Sequence, residues 1–141
     1  MDRSVLCWLA TVSESGMPNV SPKEIFRPYG DNQIIIANIA SPQTVRNIRH
    51  QSQVCISFID VLVQKGYQIK GHAHVAVTSD PEFQEMKQSL EQMTQGKFPF
   101  STITVIEVQS VKPILAPSYQ LFPDTKEADQ IESAKRRYGL A

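Results

Sequence analysis

The chain has 141 residues and a mass of 15.8 kDa, which corresponds to about one domain with a real core, so we expect a single domain over 1–141. Hydrophobic residues make up 41% and charged residues 20%, a composition that excludes extended disorder. Lys plus Arg and Asp plus Glu are equal at 14 each, and this zero net charge argues against general binding of nucleic acid or anionic membrane. No uncharged apolar run approaches the ~20 residues of a membrane-spanning helix.

The two cysteines, Cys7 and Cys55, are too few for a disulfide framework and lack the spacing of a zinc site. Both lie inside short apolar runs that predict strands, so we expect buried, reduced thiols in a cytoplasmic protein. The residues before the first apolar run carry no net positive charge, and no small-residue cleavage site follows it. We therefore expect no secretory signal peptide.

The first third of the chain predicts a β-meander. Residues 5–13 form a compact apolar run that ends at a Glu-Ser-Gly turn, and 19–27 form a second extended segment. Pro22 lies inside this second segment, which indicates an edge strand or a bulge. A hairpin turn at 29–32 leads into a third strand over 33–38, which contains consecutive isoleucines.

The pattern becomes helical at Ser41-Pro42, where Ser suits the N-cap and Pro the first helical position. This helix should end near His50. Strands follow over 53–60 and 67–78. Strict alternation makes the second of them the clearest strand in the sequence, and Gly71 within it allows a bend.

The last part of the chain adds helices around one more strand. A helix should start at the capping segment 79–82, and a strand over 101–111 should stop before Pro113. A capping box then predicts a C-terminal helix over about 124–138. The order βββαββαβα favours a mainly β fold, an antiparallel barrel with a few helices packed outside it.

The most informative position is the junction where the third strand runs into the first helix. The first turn carries Ser41, Gln43 and Thr44, whose side chains add donors to the free N–H groups and positive dipole end of the helix. The second strand offers Ser21 and Lys23 on one face, because side chains alternate with a period of two. These groups predict a phosphate site. The alternative interpretation is a plain helix cap beside a solvated lysine.

Other polar residues predict no catalytic centre by themselves. His72 and His74 lie on one side of a strand and would suit zinc or copper only with further ligands, so the alternative is an exposed or cofactor-lining face. The sequence contains no nucleophile motif, P-loop or Rossmann glycine pattern. An OB-like nucleic-acid module is a rival all-β fold, and zero net charge with only 8% aromatic residues weighs against it.

The order and spacing of these segments resemble the pyridoxamine 5′-phosphate oxidase-like FMN-binding split barrels over about 5–111. The matching pieces are Leu9-Ala10-Thr11-Val12, Gly16-Met17-Pro18-Asn19-Val20-Ser21-Pro22-Lys23, Ile34-Ile35-Ile36-Ala37-Asn38, Thr44-Val45-Arg46-Asn47-Ile48, Gln53-Val54-Cys55-Ile56-Ser57-Phe58 and Ile69-Lys70-Gly71-His72-Ala73. The resemblance implies a six-stranded antiparallel Greek-key split barrel. It also implies a homodimer with FMN in clefts at the dimer interface.

The resemblance further implies which residues hold the cofactor. Family members hold the FMN phosphate with residues of the second strand and of the strand-to-helix turn. Carried onto this sequence, these positions are Ser21, Pro22, Lys23, Glu24, Ala37, Asn38, Ser41, Gln43 and Thr44. They include the anion site predicted above from the chemistry of the helix start.

Some positions depart from the oxidase pattern. Relatives of the oxidase carry Arg on the second strand and Arg-Lys just inside the helix, where this chain has Ser21 and Pro42-Gln43. The phosphate site is thus less cationic, and the C-terminal Arg-rich substrate signature of the oxidase is absent. We therefore expect an FMN-dependent oxidoreductase that acts on a small molecule other than pyridoxamine phosphate, with an electron donor that the sequence does not identify.

The alternative is a non-catalytic protein on the same barrel that binds or stores a flavin, a deazaflavin or haem. For haem or a metal, His50, His72 and His74 are the imidazole ligands that the sequence offers. FMN and a deazaflavin need the same phosphate cradle, so the sequence does not separate them.

Overall fold

The computed structural model describes residues 1–140 as one sheet of seven strands with four helices. The strands are β1 (Cys7–Val12), β2 (Pro18–Lys23), β3 (Phe26–Tyr29), β4 (Gln33–Ala37), β5 (Gln53–Asp60), β6 (Lys65–Val77) and β7 (Thr102–Leu115), and the helices are α1 (Pro42–His50), α2 (Phe83–Thr94), α3 (Pro117–Leu121) and α4 (Glu127–Tyr138). Within 1–140, none of these helices has the length and apolar character that crossing a membrane requires.

The sheet curls until its two edges come close together. Its strand order is β2-β1-β5-β6-β7-β4-β3, and all neighbours are antiparallel. The edge strands β2 and β3 are consecutive in the chain and are joined by only 24–25. The amide of Ala37, at the end of β4, donates to the carbonyl of Ile25 in this link at 3.0 Å. This arrangement is a split barrel with peripheral helices, which confirms the predicted mainly β fold class.

Two apolar clusters stabilise the barrel, and β4 belongs to both. Ile34 and Ile36 pack inside the barrel, whereas Ile35 and Ala37 pack outside it against α2. The inner cluster also contains Cys7, Leu9, Phe26, Ile48, Val54, Ile56, Phe58, Ile69, Ala73 and Ile106. Because both faces of β4 are buried, its sequence is a continuous apolar run instead of an alternating one.

The longest strand pair, β6 with β7, contains the bend predicted at Gly71. Lys70 pairs with Ser110 but Gly71 pairs with Val108, so β7 has one extra residue at this point. A Cβ atom on Gly71 would lie 2.1 Å from the carbonyl oxygen of Glu107. Glycine is therefore required here because the two backbones approach each other too closely for any side chain.

The strand count of the sequence prediction was too low by one. The segment 19–27, predicted as one strand, forms β2 and β3, which pair with different partners at opposite edges of the sheet. The split falls at Glu24–Ile25, immediately after Lys23. Pro22 lies in an edge strand, as its presence predicted.

The predicted end of β7 before Pro113 was wrong, because β7 continues to Leu115. Pro113 pairs with Tyr67 of β6. The opposite neighbour, β4, pairs only with the first part of β7, up to Glu107. The Val108 amide still donates to the Asn32 carbonyl at 2.8 Å. After Val108 no strand within 1–140 pairs with this side of β7, and a proline without an amide hydrogen is tolerated there.

The predicted helices are present with shifted starts. α1 agrees with the prediction, but α2 starts at Phe83 because Asp80 accepts from the Val77 amide at 2.7 Å and closes a turn before the helix. α4 begins at Glu127, later than the predicted 124, without a side-chain cap. The short helix α3 was not predicted.

Candidate functional site

Three hydroxyl groups and one amine meet where the end of β2 faces the start of α1. Lys23 Nζ donates to Ser41 Oγ at 2.6 Å and to Thr44 Oγ1 at 3.2 Å. The hydroxyl oxygens of Ser21 and Thr44 lie 3.3 Å apart. Ser21 and Lys23 therefore both reach α1 from one face of β2, as their spacing predicted. We call these four residues the Lys23 corner.

The ammonium group of Lys23 is buried without a carboxylate partner. Only 6% of the residue is exposed, and it takes part in none of the ion pairs found within 1–140. Burial lowers the pKa of Lys23 from its ordinary value of 10.5. Attraction to the ionised form of Cys7 raises this pKa, but the effect is smaller. Buried charges are usually paired. The corner therefore has an excess of positive charge.

Cys7 does not neutralise this charge. It lies opposite Lys23 in the pairing of β1 with β2, and it is fully buried. Burial raises the pKa of the Cys7 thiol to about 12, although the Lys23 charge lowers it. At neutral pH the thiol is thus protonated and uncharged, and it is a poor nucleophile.

The start of α1 adds positive potential to the corner. Ser41 occupies the N-cap position, but its side chain makes no capping hydrogen bond to the helix. Its hydroxyl instead donates to the carbonyl of Ile39 at 2.9 Å and accepts from Lys23. The first turn also contains no acidic residue. The positive end of the helix dipole therefore lies at the corner without a negative side chain to offset it.

A buried hydrogen-bond network fixes α1 against the barrel. Asn47 Nδ2 donates to Thr11 Oγ1 at 2.9 Å, and Asn47 Oδ1 accepts from Gln43 Nε2 at 2.7 Å. Asn47 and Thr11 are almost completely buried. The network gives hydrogen-bond partners to two buried polar side chains, Thr11 of β1 and Asn47 of α1. It also holds the first turn of the helix in place beside Lys23.

Two clefts adjoin the corner. The first, which we call the apolar cleft, has a volume of about 340 Å³. It is lined by Leu6, Pro22, Lys23, Glu24, Ile25, Ala37, Ile39 and Phe98. The second, which we call the arginine cleft, has a volume of about 390 Å³. It is lined by Asn38, Ser41, Pro42, Val45, Arg46, Arg49 and Thr102.

The nine candidate residues predicted from the sequence divide into three groups. Ser21, Lys23, Ser41 and Thr44 make up the corner, and Pro22, Glu24 and Ala37 line the apolar cleft beside it. The Asn38 side chain is engaged with β7, because it donates to Thr102 Oγ1 at 3.2 Å and accepts from Thr104 Oγ1 at 2.8 Å. The Gln43 side chain points to Asn47.

The three histidines do not converge. His72 Nδ1 lies 3.0 Å from Ser52 Oγ, His74 lines a separate cleft near α2, and His50 lies 3.9 Å from the Glu14 carboxylate. Within 1–140, no group of three or more His, Cys, Asp or Glu side chains has the arrangement of a metal site.

Sequence reasoning missed four residues near the corner. Cys7 was predicted to be buried, but its place beside Lys23 follows only from strand pairing. Arg46 and Arg49 had a visible signal, because they follow Pro42 and Val45 by one helical turn and so share their face. Phe98 had none, since the loop after α2 brings it to the apolar cleft from a distant part of the sequence.

Comparison with known proteins agrees with this fold. The family model described as pyridoxamine 5′-phosphate oxidase matches residues 1–113. The chain belongs to this family. The matched residues include the whole Lys23 corner and end just before the C-terminal helices. No curated protein matches this chain.

Solved structures share the fold at low sequence identity. HupZ of Group A Streptococcus is 25% identical, with a TM-score of 0.64 over 75% of this chain and 82% of that one. An FMN-binding protein of Syntrophomonas wolfei is 18% identical, with a TM-score of 0.69 over 82% of this chain and 80% of that one. HutZ of Vibrio cholerae, described as a haem storage protein, is 16% identical, with a TM-score of 0.64 over 77% and 84%.

Proposed function

We propose that this protein is an FMN-binding flavoprotein and an oxidoreductase that acts on a small molecule. The observation that carries the proposal is the buried, uncompensated ammonium group of Lys23 at the start of α1. Membership of the pyridoxamine 5′-phosphate oxidase family and the likeness to an FMN-binding protein support the same cofactor. The residues present are also consistent with the two chemical parts of FMN, a phosphate and a large flat ring.

The phosphate fits the Lys23 corner. A phosphate dianion would be the negatively charged partner that Lys23 lacks. It would also accept hydrogen bonds from the hydroxyls of Ser21, Ser41 and Thr44. The first turn of α1 contributes its backbone N–H groups and dipole. The hydroxyl-to-amine contacts seen at the corner would then be exchanged for contacts to phosphate oxygens.

The ring fits the apolar cleft. Leu6, Ile25, Ile39 and Phe98 provide apolar walls, and Lys23 connects this cleft to the corner. When bound, the isoalloxazine ring supplies the hydride or electron transfer, which agrees with the lack of a side-chain nucleophile motif in the sequence. The protein's own residues bind the phosphate, orient the ring and exclude water from one of its faces.

Haem storage, the function described for HutZ of Vibrio cholerae, is less well supported by the residues of this site. The lining of the apolar cleft contains no His, Cys, Met or Tyr side chain that would ligate the iron. The histidines of the chain lie elsewhere, as described above. We therefore propose FMN and not haem as the ligand of the Lys23 corner.

The direct test is to titrate the purified protein with FMN and with riboflavin, following flavin fluorescence and heat. We expect FMN to bind at micromolar concentration and riboflavin at least tenfold more weakly, because a charge-assisted contact to phosphate contributes about 1.5–3 kcal/mol. A protein that fails to bind FMN, or binds both equally, would contradict the phosphate assignment. Reduction of the bound flavin by pyridine nucleotides or dyes would separate an oxidoreductase from a storage protein.

Phe98 should hold the ring and not the phosphate. It is 53% exposed and lies at the apolar cleft, in a loop that begins with two left-handed residues, Gln95 and Gly96. We expect Phe98→Ala to weaken the binding of FMN and the binding of riboflavin by the same factor, about fivefold to tenfold, because an aromatic contact contributes about 1 kcal/mol. The matched control is Phe122→Ala, an exposed phenylalanine of the C-terminal segment, which should change neither affinity. A loss restricted to FMN would show that Phe98 does not contact the ring.

We also propose that the protein forms a homodimer through the outward face of β1 and β2. Trp8 and Val20 are about half exposed and lie on this face with Ala10 and Pro22, which pair with Val20 and Trp8 across the two strands. An exposed apolar area of this kind indicates an association surface. Pro22 also lines the apolar cleft, so the cofactor would lie close to the interface.

Light scattering during gel filtration tests the dimer. We expect the wild-type protein to elute as a dimer and Val20→Glu as a monomer, because the substitution buries a carboxylate in an apolar contact. The control Leu121→Glu places the same charge on an exposed residue of α3 and should leave the dimer intact. A wild-type monomer, or a Val20→Glu dimer, would contradict this interface.

A further inference from the structure

The arginine cleft has the composition of a second anion site. Arg46 and Arg49 lie one helical turn apart on α1 and both line it. Within 1–140, neither arginine forms an ion pair with a carboxylate. The other lining residues, Asn38, Ser41, Pro42, Val45 and Thr102, include no acidic side chain. In a chain whose net charge is zero, these two positive charges are therefore locally unbalanced.

The guanidinium group of Arg46 is held in position from inside the barrel. Its NH2 donates to Gln43 Oε1 at 2.8 Å, and Gln43 Nε2 in turn donates to Asn47 Oδ1. Asn47 is anchored on Thr11 of β1. This chain of hydrogen bonds reduces the freedom that the Arg46 side chain would lose on binding a ligand, which favours affinity.

The two clefts and the Lys23 corner are connected through Ser41. Lys23 lines the apolar cleft, Ser41 lines the arginine cleft, and the two side chains are hydrogen-bonded to each other at 2.6 Å. The arginine cleft therefore adjoins the corner at Ser41, next to the position proposed for the phosphate. FMN ends at its phosphate and would leave the arginine cleft unused.

We propose that the arginine cleft binds a second anionic group attached to the first phosphate, as in the diphosphate of a dinucleotide. This inference rests on the proposed function, because the first phosphate has to occupy the Lys23 corner. Arginine suits the task, since its planar group matches two phosphate oxygens at once. Besides FMN, the site would thus take a flavin or nucleotide that carries a diphosphate.

Calorimetric titration of the full-length protein with FAD, FMN and ADP tests the subsite. We expect the double variant Arg46→Ala/Arg49→Ala to lose at least tenfold in affinity for FAD and for ADP. Its affinity for FMN should fall by no more than twofold to threefold. The matched control removes two exposed arginines from α4, Arg136→Ala/Arg137→Ala, and should leave all three affinities unchanged. Both arginine pairs are on helix surfaces, so neither variant should impair folding.

The outcomes separate this inference from the proposed function. Equal losses for FMN and FAD would overturn the inference, because the arginines would then serve the first phosphate. An FAD affinity that does not respond to the double variant would also overturn it. If the wild-type protein binds no FMN, the proposed function fails first. The titration with ADP then tests the subsite by itself. Binding of ADP that depends on the two arginines would support the subsite, and a failure of ADP to bind would overturn it.

Discussion

Replacing Lys23 with methionine should abolish tight FMN binding and at the same time stabilise the protein. The substitution removes the only charged side chain of the corner, so we expect the affinity for FMN to fall about 100-fold, or roughly 2.7 kcal/mol. Riboflavin, which has no phosphate, should bind as before. Opposite effects on binding and stability are the expected signature of a residue kept for a ligand and not for the fold.

The gain in stability follows from the surroundings of Lys23. Methionine has a similar length and no charge to desolvate, so its burial removes an unfavourable contribution on the order of 1 kcal/mol or more. The two hydroxyls that accept from Lys23 keep other partners, since Ser41 donates to the Ile39 carbonyl and Thr44 lies beside Ser21. Urea unfolding of the ligand-free proteins measures the difference. A variant less stable than the wild type would show that Lys23 is a structural residue.

The same residue gives the wild-type protein a characteristic pH dependence. The folded-state pKa of Lys23 is lowered from 10.5, so between the two values the unfolded chain binds more protons. Stability should therefore rise with pH across this interval in the wild type, relative to Lys23→Met. The raised pKa of Cys7 acts in the opposite direction above about pH 9, and this effect is larger in Lys23→Met, which lacks the charge that lowers the Cys7 pKa. We expect the difference in the free energy of unfolding between Lys23→Met and the wild type to become smaller as pH rises toward 10.5.

Gly71→Ala should be the most damaging small substitution in the barrel. The new Cβ would lie 2.1 Å from the carbonyl oxygen of Glu107, and the β6–β7 pairing holds the backbone of both residues in place. Relief requires the two longest strands to separate at their bulge. We expect the free energy of unfolding to fall by about 3 kcal/mol or more, at the upper end of overpacking costs.

Gly30→Ala is the control, because nothing lies within 4 Å of its added Cβ and only its positive φ of +57° opposes the change. Left-handed backbone costs an alanine about 1–2 kcal/mol. Thermal and urea unfolding of the two variants compare the effects. Equal losses would mean that the strands separate at little cost and that the close approach of β7 does not set the requirement for glycine at position 71.

Features set by local chemistry were predicted well from the sequence. The start of α1 at Ser41-Pro42 and the strand β5 over 53–60 agree with the prediction, because the preference of proline for the first helical turn and the alternation of a strand act over a few residues. The division of 19–27 into β2 and β3 was not predictable in this way. β2 and β3 each form a hairpin with the strand next to it in the chain, but β1 pairs onward with β5 and β4 with β7. These long-range pairings place the two hairpins at opposite edges of the sheet.

The candidate site shows the same division. The sequence brought Ser21, Lys23, Ser41 and Thr44 together on the basis of spacing and of the family resemblance. It did not predict that Lys23 is buried, and the alternative of a solvated strand lysine was wrong. Burial arises from packing beside Cys7 and α1, which no local pattern encodes. The arginine cleft was not predicted, because Arg46 and Arg49 lie beyond the first turn of α1, where the helix dipole and free N–H groups indicate an anion site.

Prolines in both edge strands restrict how this barrel can associate with other molecules. β2 contains Pro18 and Pro22, and β3 contains Pro28, so each exposed rim lacks backbone hydrogens at these positions. An additional strand from another chain could not form a regular ladder there, which protects the open side of the barrel against edge-to-edge aggregation. Assembly must then proceed through side chains on the sheet faces, and its specificity becomes a matter of shape and surface composition instead of main-chain pairing.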